Sequence, residues 1–199
     1  MSKLLLASQN AGKLREMKAL LKNVPIDLIS PVDLGLHLVV KEEGHTYAEN
    51  AAHKALVYAR RSGLVALADD SGLEVEALNG APGLYSARYA PQRGATDADR
   101  RAYLLQQIEG SPRPWRARFR CTIAVATPSG EVHYKEGTCQ GEIIPKERGQ
   151  GGFGYDPIFL IPEMGRTMAE LTLEEKNRLS HRARAVQAAI PLLSKLIDL

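Results

Sequence analysis

The chain begins with an apolar run, which is followed by apolar residues at helical spacing. Residues 3–7 are apolar after the initial lysine, which predicts a buried strand. Leu14, Met17 and Leu21 then recur at the spacing of one helix face, and polar neighbours such as Glu16 are expected to face solvent. A short strand is predicted over 27–30, so the chain begins with a βα unit.

A second helix is predicted to begin after Thr46 and to run to Arg61. Thr46 and Glu49 have the spacing of a capping box, in which each side chain bonds the other residue's backbone N–H. Asn50 and Lys54 are one turn apart on this helix, so their side chains are expected to share a face.

The middle of the chain predicts a third helix and then a β-hairpin. Thr96 is expected to cap the helix, whose predicted buried positions are Ala98, Ala102, Leu105 and Ile108. Residues 115–127 are predicted to form a strand, because apolar residues from Trp115 to Val125 take one face and the arginines at 116, 118 and 120 take the other. A Pro-Ser-Gly turn leads to a partner strand over 131–138. Together, βα units and a hairpin predict the α/β class, with a mixed sheet and helices packed on it.

Composition and charge exclude several function classes. The 199 residues suit one domain spanning 1–199, and a net charge of +3 is too small for a protein that wraps nucleic acid. The sequence predicts neither a signal peptide nor a membrane span, and we expect a cytoplasmic protein. Two cysteines without a dense His/Cys cluster make a zinc site an unfavoured interpretation.

The adjacent carboxylates Asp69 and Asp70 are the first candidate site. They follow the apolar run 64–68, so a strand is predicted to end there, with Gly72 allowing a turn before a second short strand over 73–77. Ligands bind at such strand ends in open α/β sheets, and oxygen ligands suit Mg²⁺. The alternative is a pair of solvated turn residues.

The segment from Ser8 to Lys13 is a candidate phosphate site. It joins the first strand to the first helix, where free backbone N–H groups and the helix dipole favour an anion. Lys13 in the first turn opposes that dipole unless it meets a negative ligand. The alternative is a plain Asn10 cap with a solvated lysine.

Two later segments are also candidates for binding. Residues 151–157 place Phe153 and Tyr155 among glycines, where the rings could stack on a base or belong to the core. Lys176 and Arg182 cannot share a face of one unbroken helix, but a new helix capped by Ser180 would put His181 and Arg182 at its N-terminus.

These motifs, taken in order, resemble the Ham1 family of pyrophosphatases that act on the purine nucleoside triphosphates dITP, XTP and ITP. The matching segments run from end to end of the chain. They are Ser8-x-Asn10-x-x-Lys13, Glu42-Glu43-Gly44, Ala68-Asp69-Asp70-Ser71-Gly72, Gly80-Ala81-Pro82-Gly83, Gly152-Phe153-Gly154-Tyr155-Asp156-Pro157 and Ser180-His181-Arg182.

The resemblance implies an elongated mixed sheet in two lobes with a central cleft, a homodimer, and hydrolysis of these triphosphates to a monophosphate and pyrophosphate. Asp70 would be the catalytic base and a Mg²⁺ ligand, and Glu42 the second ligand, although Glu43 remains an alternative because the family often has Glu-Glu-Thr-Gly here. The residues implied to contact the substrate are Ser8, Gln9, Asn10, Ala11, Gly12, Lys13, Lys54, Ser71, Phe153, Gly154, Tyr155, Asp156, Lys176, His181 and Arg182.

Two alternatives to this activity remain open at the level of sequence. One is a binding protein without turnover: a nucleotide sensor, or a weak single-strand binder that uses Trp115 and the arginines at 116, 118 and 120. The other is a pyrophosphatase for a different damaged nucleotide.

Overall fold

A computed structural model describes residues 2–197. The strands are β1 (Ser2–Leu6), β2 (Ile26–Ile29), β3 (Val65–Val75), β4 (Trp115–Ala126), β5 (Val132–Ile143), β6 (Phe159–Ile161) and β7 (Arg166–Thr167). The α-helices are α1 (Ala11–Leu20), α2 (Tyr47–Ser62), α3 (Asp97–Ile108), α4 (Leu173–Leu179) and α5 (His181–Leu196). None of the helices in this range is long and apolar enough to cross a membrane.

The strands form one mixed sheet of the predicted kind. Its order is β2-β1-β3-β4-β5-β6-β7. β1 pairs in parallel with β2 and β3, whereas β5, β6 and β7 pair antiparallel. The turn between β4 and β5 is closed by the Thr127 N–H, which donates to the Glu131 carbonyl oxygen at 2.9 Å. The α/β mixed-sheet prediction is confirmed.

The chain divides into two compact units. The first contains residues 2–70, 121–137 and 181–197, and the second contains residues 71–120 and 138–180. That residues 1–199 act together as one pyrophosphatase domain stays a prediction.

The first unit has a hydrophobic cluster on each face of its strands. Leu4, Leu6 and Leu67 pack against α1 and α5 on one face. Leu5 and Ala66 pack against α2 on the other face. Since side chains alternate along a strand, neighbouring residues of β1 and β3 belong to different clusters.

The second unit has one cluster, built on aromatic residues of β4 and β6. The rings of Phe119 and Phe159 lie 4.5 Å apart between centroids, and Leu104 and Ile108 of α3 pack into the same cluster. The predicted buried face of α3 is partly wrong, because Ala98 and Ala102 are exposed. The buried residues of the helix are Leu104 and Ile108, whose larger side chains remove more apolar area from water than the two alanines would.

The predicted strand end at Asp69 is also wrong. β3 continues without a break to Val75, so both aspartates lie inside a strand. The strand that ends beside the aspartates is β1 and not β3. Its last residue, Leu6, is paired with Leu67 of β3. Asp69 and Asp70 therefore follow the last paired position of β1, while their own strand runs on.

Candidate active site

Strand alternation separates the two adjacent aspartates. Asp69 continues the row that contains Leu67 and faces α1 and α5, whereas Asp70 continues the row that contains Ala68 and faces α2. Both are buried, with 1% and 6% of their surface exposed. They consequently have different partners and different electrostatic environments.

Asp69 lies in a buried network of ion pairs. Its Oδ2 is 3.0 Å from Lys13 Nζ and 3.2 Å from Arg182 Nη2. Arg182 also donates through Nη1 to the carboxylate of Glu16. Burial raises the pKa of Asp69, but the charges of Lys13, Arg182 and Lys54 outweigh burial and hold that pKa well below its ordinary value. Asp69 is thus a carboxylate whose ionised form is favoured, and it pairs with two cations.

Glu16 is a member of this network that the sequence analysis placed on the exposed face. Its side chain is only 2% exposed. A carboxylate can be buried when a guanidinium pairs with it, and Arg182 supplies that guanidinium from a position 166 residues away. The available signal was its position three residues after Lys13, which puts both side chains on one side of α1.

Asp70 is held from the α2 side. Asn50 donates through Nδ2 to Asp70 Oδ2 at 2.9 Å. One turn later Lys54 donates through Nζ to the Asp69 carbonyl oxygen at 2.9 Å, and its ammonium also pairs with Glu42. The shared face predicted for Asn50 and Lys54 is confirmed, and Asn50 joins the candidate site although it was absent from the predicted substrate contacts.

The environment of Asp70 suits a proton acceptor. Burial raises its pKa above the ordinary value, although Lys54, Lys13 and the hydrogen bond from Asn50 act in the opposite direction. The negative charge of Glu42 adds to the rise. A buried carboxylate with a raised pKa is typical of catalytic acids and bases.

Glu42 rather than Glu43 shares a cation with the Asp70 region, because Lys54 bonds both Glu42 and the Asp69 carbonyl oxygen. Glu42 is 29% exposed and pairs with Lys54, whereas Glu43 is 77% exposed and pairs with Lys41 at 3.5 Å. Across residues 2–197 no group of three or more His, Cys, Asp or Glu side chains could hold a metal ion. Mg²⁺ is usually bound by one or two carboxylates together with substrate phosphates and water, so Glu42 and Asp70 fit such a site.

The loop before α2 is tied to the same asparagine. The Gly44 N–H donates to Asn50 Oδ1 at 2.8 Å. A Cβ at position 44 would lie 2.7 Å from that oxygen, so any other residue would force the loop away from α2. Asn50 therefore links the loop that carries Glu42 to the carboxylate of Asp70.

The Ser8–Lys13 segment is positioned as predicted, but several of its polar groups already have partners. Asn10 caps α1 by accepting the Lys13 N–H at 3.1 Å, which is the structural role considered for it. Gln9 donates through Nε2 to the Leu38 carbonyl oxygen at 2.9 Å, and the Ser8 hydroxyl accepts from the Asn10 N–H. Ala11 and Gly12 form the first turn of α1.

The second unit contains a separate buried pair, Asp156 and Lys176. Lys176 Nζ lies 2.6 Å from Asp156 Oδ2, and each side chain is about 5% exposed. The same Nζ lies 5.1 Å from the centre of the Phe153 ring, which is half-buried. Lys176 thus has a carboxylate partner and an aromatic partner.

The two aromatic rings of the 151–157 segment differ in their surroundings. Tyr155 belongs to the core cluster of the second unit, and its hydroxyl donates to the Ser86 carbonyl oxygen at 2.8 Å. Tyr155 thus follows the core alternative, and Phe153 is left as the candidate for stacking. Ser71, directly after Asp70 in β3, is half-buried.

The predicted helix break at Ser180 is confirmed. α4 ends at Leu179, Ser180 has extended backbone angles (φ −67°, ψ 157°), and α5 begins at His181. His181 and Arg182 are therefore first-turn residues of α5, and both side chains are buried.

The structure does not support Trp115 as a base-stacking residue of a single-strand-binding protein. Trp115 is 5% exposed within the core of the second unit, and its indole N–H donates to the Ser111 carbonyl oxygen at 2.9 Å. Arg118 pairs with Glu74 at 2.6 Å. Trp115 therefore has no ring face to offer a base.

The comparisons with known proteins concern the chain as a whole and its fold. The sequence model described as "Ham1 family" matches residues 4–192. A dITP/XTP pyrophosphatase of Desulforamulus reducens is 48% identical over 98% of this chain and 96% of its own, and one of Geobacter sulfurreducens is 50% identical over 94% of each. A Ham1 protein structure from Coxiella burnetii superposes with a TM-score of 0.88 at 42% identity, covering 98% of this chain and 100% of that chain. The chain belongs to the Ham1 family.

Proposed function

We propose that the protein hydrolyses the α–β phosphoanhydride bond of dITP, XTP and ITP, releasing a nucleoside monophosphate and pyrophosphate. The observation that carries this proposal is Asp70: a buried carboxylate with a raised pKa, next to Glu42 and within a strongly cationic setting. The relatives named dITP/XTP pyrophosphatases, at 48–50% identity over nearly the whole chain, support the substrate class.

Asp70 acts on the attacking water in this proposal. It accepts a proton while the water oxygen bonds to the α-phosphorus, and the bond from that phosphorus to the bridging oxygen breaks to release pyrophosphate. A raised pKa makes the carboxylate a better proton acceptor near neutral pH. Asn50 fixes Oδ2 of Asp70 and so orients the carboxylate.

Two lysines provide positive charge for the phosphates. Lys13 and Lys54 are partly buried, with side chains 15% and 13% exposed, and each pairs with a carboxylate. Such preorganised charges stabilise the negative charge that develops on a leaving pyrophosphate. The residues that would hold Mg²⁺ are Glu42 and Asp70, and the ion would supply Lewis-acid polarisation of phosphate oxygens.

Further residues are proposed to contact the nucleotide. They are Ser8, Gln9, Asn10, Ala11 and Gly12 around the phosphates, and Ser71, Phe153, Gly154, Tyr155, Asp156, Lys176, His181 and Arg182 around the nucleoside. Inosine and xanthine carry an oxygen at position 6 where adenine carries an amino group. Arg182 already pairs with Glu16 and Asp69, so His181 is the better candidate to donate to this oxygen. Adenine would place an amino group there, which cannot accept that hydrogen bond.

We also propose a homodimer that acts in the cytoplasm, where the free nucleotide pool is. The family resemblance supports the dimer, and the small-molecule substrate supports the location.

The experiment is a pyrophosphate-release assay with ITP, dITP, XTP, ATP and GTP at equal concentration in Mg²⁺. We expect the wild-type protein to release pyrophosphate from the first three and Asp70→Asn to be at least about 10³-fold slower, since the base is removed. The control is Asp27→Asn, an exposed carboxylate in β2. Nucleotide binding without turnover by the wild type would instead support the sensor alternative.

The choice of metal carboxylate has a matched test. Glu42→Gln should weaken Mg²⁺ activation of turnover by about tenfold or more, because loss of one oxygen ligand leaves Asp70 alone. Glu43→Gln should leave the Mg²⁺ dependence unchanged. The reverse result would transfer the ligand role to Glu43.

A further inference from the structure

The backbone of Phe153 and Gly154 is fully hydrogen-bonded within the second unit. The Phe153 N–H donates to Asp156 Oδ2 at 2.9 Å, and the Phe153 carbonyl oxygen accepts the Asp156 N–H at 3.2 Å. The Gly154 N–H donates to Asp97 Oδ2 at 2.7 Å, and the Gly154 carbonyl oxygen accepts from Arg101 Nη1 at 2.8 Å. Two of these four bonds are local, and two come from α3.

Asp97 and Arg101 form a clamp from one face of α3. They are four residues apart, so both side chains point to the same side of the helix. Arg101 is itself fixed, because Nε and Nη2 donate to the two carboxylate oxygens of Glu147 at 2.8 and 2.9 Å. Its side chain is 12% exposed. A bidentate guanidinium–carboxylate pair restricts the geometry more than a single bond does.

The clamped residue needs such support. Gly154 has φ of +61°, a backbone conformation for which glycine has no steric penalty but also no preference. Gly152 is likewise left-handed, at +73°. A segment with glycines on both sides of Phe153 is flexible unless its polar groups are held, and an unheld segment would let the ring move.

We propose that Asp97 and Arg101 are positioning residues that fix the Phe153 ring for stacking on the nucleobase. This inference rests on the proposed function, in which Phe153 contacts the nucleotide. Neither side chain touches the substrate. They act by holding both polar groups of Gly154, so the ring is already in place before a nucleotide arrives, and binding does not have to order the loop.

The test separates binding from chemistry. Arg101→Met should raise the KM for ITP by about three- to tenfold with kcat changed less than about twofold, because a stacking contact acts equally on ground state and transition state. Arg118→Met is the matched control, an arginine of the same unit whose partner is Glu74, and it should leave KM unchanged.

A second pair of variants controls for folding. Asp97→Asn keeps an oxygen that can accept the Gly154 N–H and should have a KM near that of the wild type, whereas Asp97→Ala should raise KM. Equal KM values for these two variants, with thermal unfolding showing both folded, would overturn the clamp.

A double-mutant cycle distinguishes failure of this inference from failure of the proposed function. Phe153→Ala should raise the KM about tenfold, given the usual contribution of base stacking, and adding Arg101→Met should raise it no further. If Phe153→Ala leaves KM unchanged, the nucleotide role of Phe153 is wrong. If Phe153→Ala raises KM but Arg101→Met does not, or if the two effects multiply, the positioning role is wrong.

Discussion

At the scale of single residues, the main finding is that two identical neighbours have opposite electrostatics. Asp69 has two close cationic partners and a lowered pKa, whereas Asp70 has an amide partner and a raised pKa. The backbone accounts for the difference, because alternation sends one side chain to the cations of α1 and α5 and the other to α2.

This difference predicts opposite effects of the same substitution on stability. Asp69→Asn should lower the free energy of unfolding by about 3–5 kcal/mol, because it leaves the buried charges of Lys13 and Arg182 with one carboxylate fewer. Asp70→Asn should leave stability unchanged or raise it, since it removes a charge that burial disfavours and keeps an oxygen for Asn50. Urea unfolding at pH 7 without nucleotide or divalent cation measures both.

The two variants serve as each other's control, as the chemical change is identical. Similar losses for both would contradict the assignment of Asp69 as the anchor of the ion pairs.

The sequence was sufficient to single out Asp69 and Asp70 but not to assign their roles. It identified the acidic pair, Lys13 and Arg182 as candidates. It could not show that Arg182 pairs with Asp69, since 113 residues separate them, and it placed Glu16 in solvent because a lone carboxylate on a helix usually faces water. Pairings of this kind depend on tertiary packing.

At the scale of elements, helix ends were the best predicted features. Thr46 and Thr96 cap α2 and α3 as expected, because these hydrogen bonds are local. The capping box predicted at Thr46 is only half formed, since the Glu49 carboxylate accepts the N–H of His45 and not that of Thr46. The length of β3 was missed, since Ser71-Gly72 is typical of a turn and only pairing with neighbouring strands overrides that preference. The buried face of α3 was missed for a similar reason.

The start of α4 carries a pH-dependent contribution to stability. Glu175 accepts from Arg166 Nη2 at 2.6 Å and from the Thr172 N–H at 2.9 Å, and these bonds lower its pKa to about 2. A lowered carboxyl pKa stabilises the fold above the unfolded value near 4.5, and this stabilisation is lost as the pH falls from there toward 2.

Glu175→Gln should therefore lower the Tm at pH 7, and the difference from the wild type should shrink steadily below pH 4.5. Glu174→Gln is the control, because Glu174 is 78% exposed and pairs with the exposed Arg178 side chain on its own helix. Thermal unfolding at several pH values gives the comparison. A Tm difference that persists unchanged at pH 3 would contradict it.

At the scale of the whole molecule, the pattern of the sequence predicts a mixed sheet with one hairpin but not the order of its strands. Parallel pairing of β1 with β3 needs a helical crossover, whereas the hairpin of β4 and β5 needs only a short turn. The sequence shows the helix patterns and the turn. Similarity to the Coxiella burnetii structure over 98% of the chain agrees with that arrangement.

The proposed homodimer is a whole-molecule property with a direct measurement. Sedimentation velocity at micromolar concentration should give twice the chain mass of 21.8 kDa. If the dimer is stable, the measured mass should not change on tenfold dilution. A mass of one chain throughout would rule out a stable dimer.

The uninterrupted course of β3 limits how the gene can change. A single residue inserted or deleted between Val65 and Asp70 would move every later side chain of the strand to the opposite face of the sheet, so Asp69 would face α2 and Asp70 would face α1 and α5. Insertions or deletions before Val65, in the connection from α2, do not change the face of the sheet on which each aspartate lies. In a random library, the insertions and deletions that preserve activity should therefore fall outside this six-residue window.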